Sequence, residues 1–182
     1  MQLKNGCFRN TTDSDESDMR FNYCAACIAY MLGDQPIFDV PAVVAYIRSC
    51  RGYDGGFAQV PGMESHGGST LCALATLQLT VCTHYFSIAV LCHNVLKGQL
   101  DELTADEQQA AQHWLVNRQA GGMQGRPNKP EDTCYAYWVT ASLAILGAHQ
   151  LIDEACERTY VLSTQHGVVG GMAKWPHHHP GL

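Results

Sequence analysis

Basic residues are scarce in this chain of 182: Lys and Arg number 11 against 17 Asp and Glu, a formal charge of −6. A surface built to track nucleic acid or anionic lipid is thereby excluded, and any anion site must be a local cluster. Charge of either sign is sparse, at 15% of residues against 46% hydrophobic, which excludes a disordered chain and implies that much of the surface faces other protein. No convincing run of alternating apolar and polar residues appears, so the class is all-α. Met1–Asn10 carries no signal peptide, so the nine cysteines are expected to be reduced and the protein cytoplasmic. The pair Cys24-Ala-Ala-Cys27 lacks a second pair to complete a zinc cluster; in an apolar run with Tyr23, Ile28 and Met31 it reads as buried helix. A clean membrane span is also missing. Gln78, Thr80, Thr83, His84, Ser87, His93 and Asn94 interrupt the long apolar stretch Leu71–Leu96, and no basic flank orients it.

Glycine turns are abundant instead. Asn5-Gly6-Cys7-Phe8, Gly55-Gly56-Phe57-Ala58, Gly121-Gly122-Met123-Gln124 and Gly170-Gly171-Met172-Ala173 form an internal repeat. Gly6 to Gly56 is 50 residues and Gly122 to Gly171 is 49, but Gly56 to Gly122 is 66. The middle repeat therefore carries about 17 extra residues, assigned to an atypical apolar insertion at Val81–Leu96. Each turn leads into an apolar helical segment, Asp18–Leu32, Gly67–Leu79 and Asp132–Leu146, and a more amphipathic helix closes each repeat, Val40–Ser49, Ala105–Arg118 and Asp153–Ser163. Asp39 and Pro41 are start signals, and Thr104 with Glu107 fits a capping box that turns Trp114 and Leu115 inward. The contrast predicts an inner ring of buried helices and an outer ring meeting solvent, with residues 1–182 forming about three helical hairpins of an incomplete ring.

The stretch richest in chemistry is Gly125-Arg126-Pro127-Asn128-Lys129-Pro130-Glu131-Asp132-Thr133-Cys134-Tyr135. Two cations in a proline-stiffened loop precede a helix start, where guanidinium, ammonium and helix dipole can converge on an anion such as a diphosphate; the alternative is a pair of solvated loop charges. Asp132 and Cys134 can share one cation, zinc accepting both donor types, or can be an N-cap and a small buried thiol. His66 stands ten residues beyond Gly56, as Asp132 does beyond Gly122, and Asp18 is the matching acid two residues later in its own longer loop. His66, Arg126, Lys129, Tyr135 and Lys174 then line one mouth, His66 being alternatively a simple cap. His177–His179 read as a terminal tail pointing three ways, and Asp13–Asp18 as a solvated acidic loop.

Through Asp18–Cys24, Glu64–Thr70, Gly125–Tyr135 and Gly170–Pro176 the sequence resembles the β subunits of protein prenyltransferases, and within them protein geranylgeranyltransferase type I. That resemblance implies part of an α6–α6 barrel, or α/α toroid, held against a shared prenyltransferase α subunit as a heterodimer. It implies that Asp132 and Cys134 are zinc ligands, one ion per complete β subunit, with a third ligand, a His, lying beyond Leu182. His66, Arg126, Lys129, Tyr135 and Lys174 would bind the diphosphate of geranylgeranyl diphosphate, Lys174 and Tyr135 acting in catalysis. Arg20 and Trp138 would line the lipid or peptide cavity. Lys174 stands where the farnesyl enzyme has an Asp tied to magnesium, so magnesium is not expected. The implied enzyme transfers geranylgeranyl to the Cys of a Leu-ending C-a-a-X motif on Rho- and Rac-type small GTPases. This part of the chain alone would be inactive. The alternatives are the Rab-specific type II or farnesyl β subunit and, from another class, a non-catalytic helical scaffold or inactive fragment.

Overall fold

The computed structural model describes residues 1–33, 38–84 and 100–180. Six α-helices lie among them: α1 (Met19–Leu32), α2 (Val40–Ser49), α3 (Gly67–His84), α4 (Ala105–Val116), α5 (Thr133–Ile145) and α6 (Glu154–Ser163), with a short 3-10 turn at His149–Leu151. Local chemistry sets most of the boundaries. Asp18, Asp39, Asp132 and Asp153 each accept a backbone amide at a helix start, and proline occupies the first turn of α2. Thr104 and Glu107 form the expected reciprocal capping box, and Trp114 and Leu115 are buried. Helix α4 stops at Val116, two residues short of the expected Arg118, because Arg118 leaves the helical course with its Nε on the Trp114 carbonyl. No strand forms among the described residues; the β pairing is confined to isolated bridges at the turns.

Those bridges fix the repeat register. Gln2 pairs with Phe8, Arg51 with Phe57, Gln119 with Met123 and Gln165 with Met172. Phe8 to Phe57 and Met123 to Met172 are each 49 residues. Gly6 thus corresponds to Gly55, not to Gly56 as the double-glycine spelling suggests, and the first loop is longer by one residue, not two. The reason is conformational: Gly6 and Gly55 both have positive φ, at 88° and 97°, and both turn their bare Cα onto an outer-helix carbonyl, of Ala42 and Ala110.

Helices α1, α3 and α5 lie side by side, and α2 and α4 pack behind the inner helix that follows each of them. Helix α3 has a neighbour on both sides, so Leu71–Leu77 is buried all round, with the Thr76 hydroxyl satisfied on the Cys72 carbonyl at 2.6 Å. The outer inner-layer helices differ from the buried ring expected of them. Cys24, Ile28, Tyr30, Met31 and Leu32 on α1 and Tyr137 on α5 are exposed, since among the described residues the main neighbour of each helix within its layer is α3. Cys24-x-x-Cys27 is therefore half surface, not buried helix. The described cysteines are all free thiols. Of the Val81–Leu96 segment, the backbone of Val81–His84 continues α3, and the rest lies outside the described residues. No helix among the described residues is long and apolar enough to cross a membrane.

One buried group is poorly served. Glu157, on α6, is 8% exposed, and neither carboxylate oxygen has a hydrogen-bond partner among the described residues. It borders a groove of about 330 Å³ lined by Ala136, Thr140, Ile152 and Val161, with His149, Glu154 and Arg158 also on its wall. Burial pushes its pKa from 4.5 up to about 7. The folded chain therefore binds more protons than the unfolded one between these values. The destabilisation is absent below pH 4.5, grows as pH rises towards 7 and is complete above it. Glu157→Gln should raise the melting temperature at pH 8 and leave it unmoved at pH 4; equal shifts at both would show that the carboxyl is not the cause.

Candidate functional site

The same device starts all three inner helices. Asp18, His66 and Asp132 each accept the amide two residues on, from Arg20 at 2.9 Å, Gly68 at 3.1 Å and Cys134 at 3.0 Å. The intervening amide reaches across to the next glycine turn: Met19 donates to the Gln59 carbonyl at 3.0 Å, Gly67 to Gly125 at 2.8 Å and Thr133 to Lys174 at 3.1 Å. Positions that correspond by repeat are thus held in corresponding places. Arg20, Gly68 and Cys134 follow the caps, while Gln59, Gly125 and Lys174 follow the turns. Gln59 donates to Asp18 at 2.7 Å, and Lys174 pairs with Asp132 at 3.5 Å in the equivalent place. His66, for which a cap and a functional group were both open readings, caps α3 through Nδ1 and also faces α5 through Nε2.

Beside the third of these starts lies a cleft of about 170 Å³, lined by Gly125, Arg126, Lys129, Pro130, Asp132, Tyr135, Lys174 and Trp175. Four of the five residues expected at the mouth, Arg126, Lys129, Tyr135 and Lys174, line it together, and His66 stands behind Tyr135 with Nε2 2.9 Å from the phenol oxygen. The tautomer follows from the other ring nitrogen. Because Nδ1 accepts from Gly68, Nε2 carries the proton and donates to Tyr135, leaving the tyrosine O–H free to donate elsewhere. Burial, and then the Arg126 charge, lower the His66 pKa, which keeps the ring neutral and this arrangement intact. Burial, and then Cys134 and Asp132, raise that of Tyr135 and keep the phenol protonated. Lys174 also sits 4.4 Å over the Trp175 ring. The closeness of the cleft floor depends on Gly125, where a Cβ would lie 2.1 Å from the Tyr135 ring.

Asp132 and Cys134 do stand at one helix start. Asp132 caps the Cys134 amide with Oδ1 and turns Oδ2 toward Lys174, while Cys134 reaches solvent. Desolvation at the packed helix start, followed by the hydrogen bond and charge of Asp132, pushes the Cys134 thiol up to about 12. A carboxylate oxygen and a thiol sulfur fit zinc as a partial donor set. Among the described residues no group of three or more His, Cys, Asp or Glu comes together as a metal site. His177–His179 point apart: His178 packs edge-on to Trp175 with centroids 5.3 Å apart, and His179 against His166 at 5.2 Å.

Arg20 and Trp138 are not among the residues that line the cleft. Arg20 is pinned on Asp18, with Nη2 2.6 Å from Oδ2, and on Glu16 at 2.9 Å. Trp138 lies on α5 edge-on to Tyr137, with centroids 5.4 Å apart. Glu64 has a part in the site that sequence reading did not give it: its Oε2 accepts from Arg126 Nη1 at 3.0 Å, across 62 residues of chain. Trp175 also lines the cleft, and its one signal in the sequence is its place beside Lys174.

Residues 1–182 match the model of the prenyltransferase alpha-alpha toroid domain. The chain is 40% identical over 184 residues to the geranylgeranyl transferase type-1 subunit beta of Arabidopsis thaliana, covering all of this chain and 46% of that protein. It is 35% identical over 171 residues to the same-named subunit of Dictyostelium discoideum, covering 94% of this chain and 44% of that one. Among solved structures, Candida albicans protein geranylgeranyltransferase-I complexed with GGPP superposes with a TM-score of 0.75 at 25% identity, over 98% of this chain and 53% of that one. The chain spans about half the length of the curated relatives it matches.

Proposed function

The chain belongs to the prenyltransferase alpha-alpha toroid family, and from that premise we propose that it is the part of a type I geranylgeranyltransferase β subunit that holds the reacting diphosphate. The observation that carries this reading is the convergence of Arg126, Lys129, Lys174 and Tyr135 on one cleft beside Asp132 and Cys134. The cleft is small and cationic, and it is bounded by the helix start that presents the two metal-type donors. In the proposed reaction the Cys thiolate of a Leu-ending C-a-a-X motif on a Rho- or Rac-type GTPase bonds to the first carbon of geranylgeranyl diphosphate. The bond from that carbon to oxygen breaks, and diphosphate leaves with the electron pair.

Each residue of the cleft has a task in that step. Arg126 and Lys129 take up the charge of the bound diphosphate as donors on the Pro-stiffened loop. Lys174 and Tyr135 face the oxygen on which charge grows as the bond breaks, an effect larger in a protein cleft than in water. Tyr135 can donate there because His66 Nε2–H already occupies its oxygen as acceptor. A zinc ion held by Asp132, Cys134 and a further ligand outside the described residues would supply a lowered pKa for the substrate thiol. By the family resemblance Lys174 stands in for magnesium, and on this proposal the reaction proceeds without it. Arg20 and Trp138 would face the lipid or peptide beyond the cleft. The proposed partners are the shared α subunit, geranylgeranyl diphosphate and the GTPase, and the proposed compartment is the cytoplasm.

The test is transfer itself. The full-length protein, purified with a cognate α subunit and zinc, should move geranylgeranyl onto a Leu-ending peptide without added magnesium. Preference for farnesyl diphosphate, or a requirement for magnesium, would reject the type I assignment.

A further inference from the structure

Two of the cleft's three cations already have counter-ions. Lys174 lies 3.5 Å from Asp132 and Arg126 lies 3.0 Å from Glu64, whereas Lys129 makes no ion pair among the described residues. Asp132 belongs to the helix start and caps it. Glu64 has no such duty: it sits in the loop before α3, outside the cleft lining, on the wall of a neighbouring cavity of about 550 Å³ shared with Ser65, Pro127 and Asn128. Both partners are open to solvent, the Arg126 side chain 40% and that of Glu64 55%. So exposed a pair does little to hold two helix starts together. Closer ties already do that, Gly67 to the Gly125 carbonyl at 2.8 Å and His66 to Tyr135 at 2.9 Å. What the pair does change is the guanidinium's availability, because one Nη is committed to a carboxylate before any ligand arrives.

We infer that Glu64 is an internal competitor for Arg126, a carboxylate that holds the guanidinium while the cleft is empty and gives way to an incoming diphosphate. The inference rests on the reading of the cleft as a diphosphate site. Its consequence is a cleft of moderated affinity, from which the diphosphate released by the reaction departs more readily than the bare cation count would allow. Glu64 touches no reacting atom; it acts through Arg126.

Inorganic pyrophosphate titrated by calorimetry into the full-length protein with its cognate α subunit tests this. Glu64→Gln keeps an acceptor oxygen for Arg126 but removes the charge, so it separates competition from mere positioning. Pyrophosphate should bind Glu64→Gln about two- to fivefold more tightly than wild type, the range open to an exposed ion pair, and the gain should shrink at high salt. On an Arg126→Ala background the same substitution should change nothing. Unchanged or weaker binding by Glu64→Gln overturns the competitor role, as does equal tightening without Arg126, which would mark a general field effect. If wild type binds no pyrophosphate, the diphosphate reading of the cleft fails and the competitor falls with it, an outcome distinct from a flat response to Glu64→Gln alone. Melting curves of each variant confirm that folded proteins are being compared.

Discussion

Gly55→Ala should lower stability by roughly 3 kcal/mol, the upper part of the range for inserting a methyl into a packed site, and the melting temperature by roughly 6–12 °C in a chain of this size. Two independent costs meet there. The backbone holds φ at 97°, where an L side chain is strained, and the added Cβ would stand 2.6 Å from the Ala110 carbonyl oxygen and 3.0 Å from the Ala110 Cβ. Neither neighbour is the loose end of a long side chain, so relief requires the turn and α4 to part. Gly6 should behave alike, because it meets the Ala42 carbonyl of α2 in the same register with φ at 88°. Gly167 is the internal control. It lies outside the positive-φ set and a Cβ there meets nothing within 4 Å, so Gly167→Ala should stay within about 0.5 kcal/mol. Thermal melts of the three variants decide the matter: if Gly55→Ala is as mild as Gly167→Ala, the turn does not seat on the outer helix as described.

In the full-length enzyme with its α subunit and zinc, Lys174→Ala should lower kcat by about 10²–10³, the loss found when one donor to a developing oxyanion is removed. The peptide KM should change little, since Lys174 faces the departing diphosphate and not the acceptor. The Lys174 side chain is about half exposed and, among the described residues, is tied to Asp132 and the Trp175 ring, while its backbone bonds survive the substitution, so the melting temperature should hold within about 2 °C. That pairing of results separates chemistry from folding. A kcat within about threefold of wild type would remove Lys174 from the transition state, and a matching fall in melting temperature would assign the loss to structure.

How far the sequence reveals this molecule depends on the distance over which each interaction acts. Asp18, Pro41, Thr104 with Glu107, Asp132 and Asp153 announce helix starts because a cap is made within three residues of itself. The string Arg126–Tyr135 announces the cleft because most of its lining is contiguous. The repeat spacing is legible, but its register is off by one at Gly6, since double glycine is a spelling and positive φ is a conformation. The repeat register does carry His66, Arg126, Lys129, Tyr135 and Lys174 to one mouth, but the individual contacts between repeats escape a linear reading: nothing near Glu64 signals Arg126, and nothing near Gly125 signals the Tyr135 ring packed against it. Burial is equally hidden: Glu157 fits an amphipathic helix in sequence yet ends buried without a hydrogen-bond partner among the described residues, and Cys24 fits a buried helix yet reaches solvent.

The amides of Met19, Gly67 and Thr133 each find their acceptor in the following repeat, on Gln59, Gly125 and Lys174. No hairpin can therefore complete its own first turn in isolation, and each lends its successor a reason to fold. Such a chain behaves as a row of coupled units, in which order spreads between neighbours. Amide exchange should register this coupling: opening the turn that carries Gly125 should release the Gly67 proton, and opening the turn that carries Lys174 should release that of Thr133.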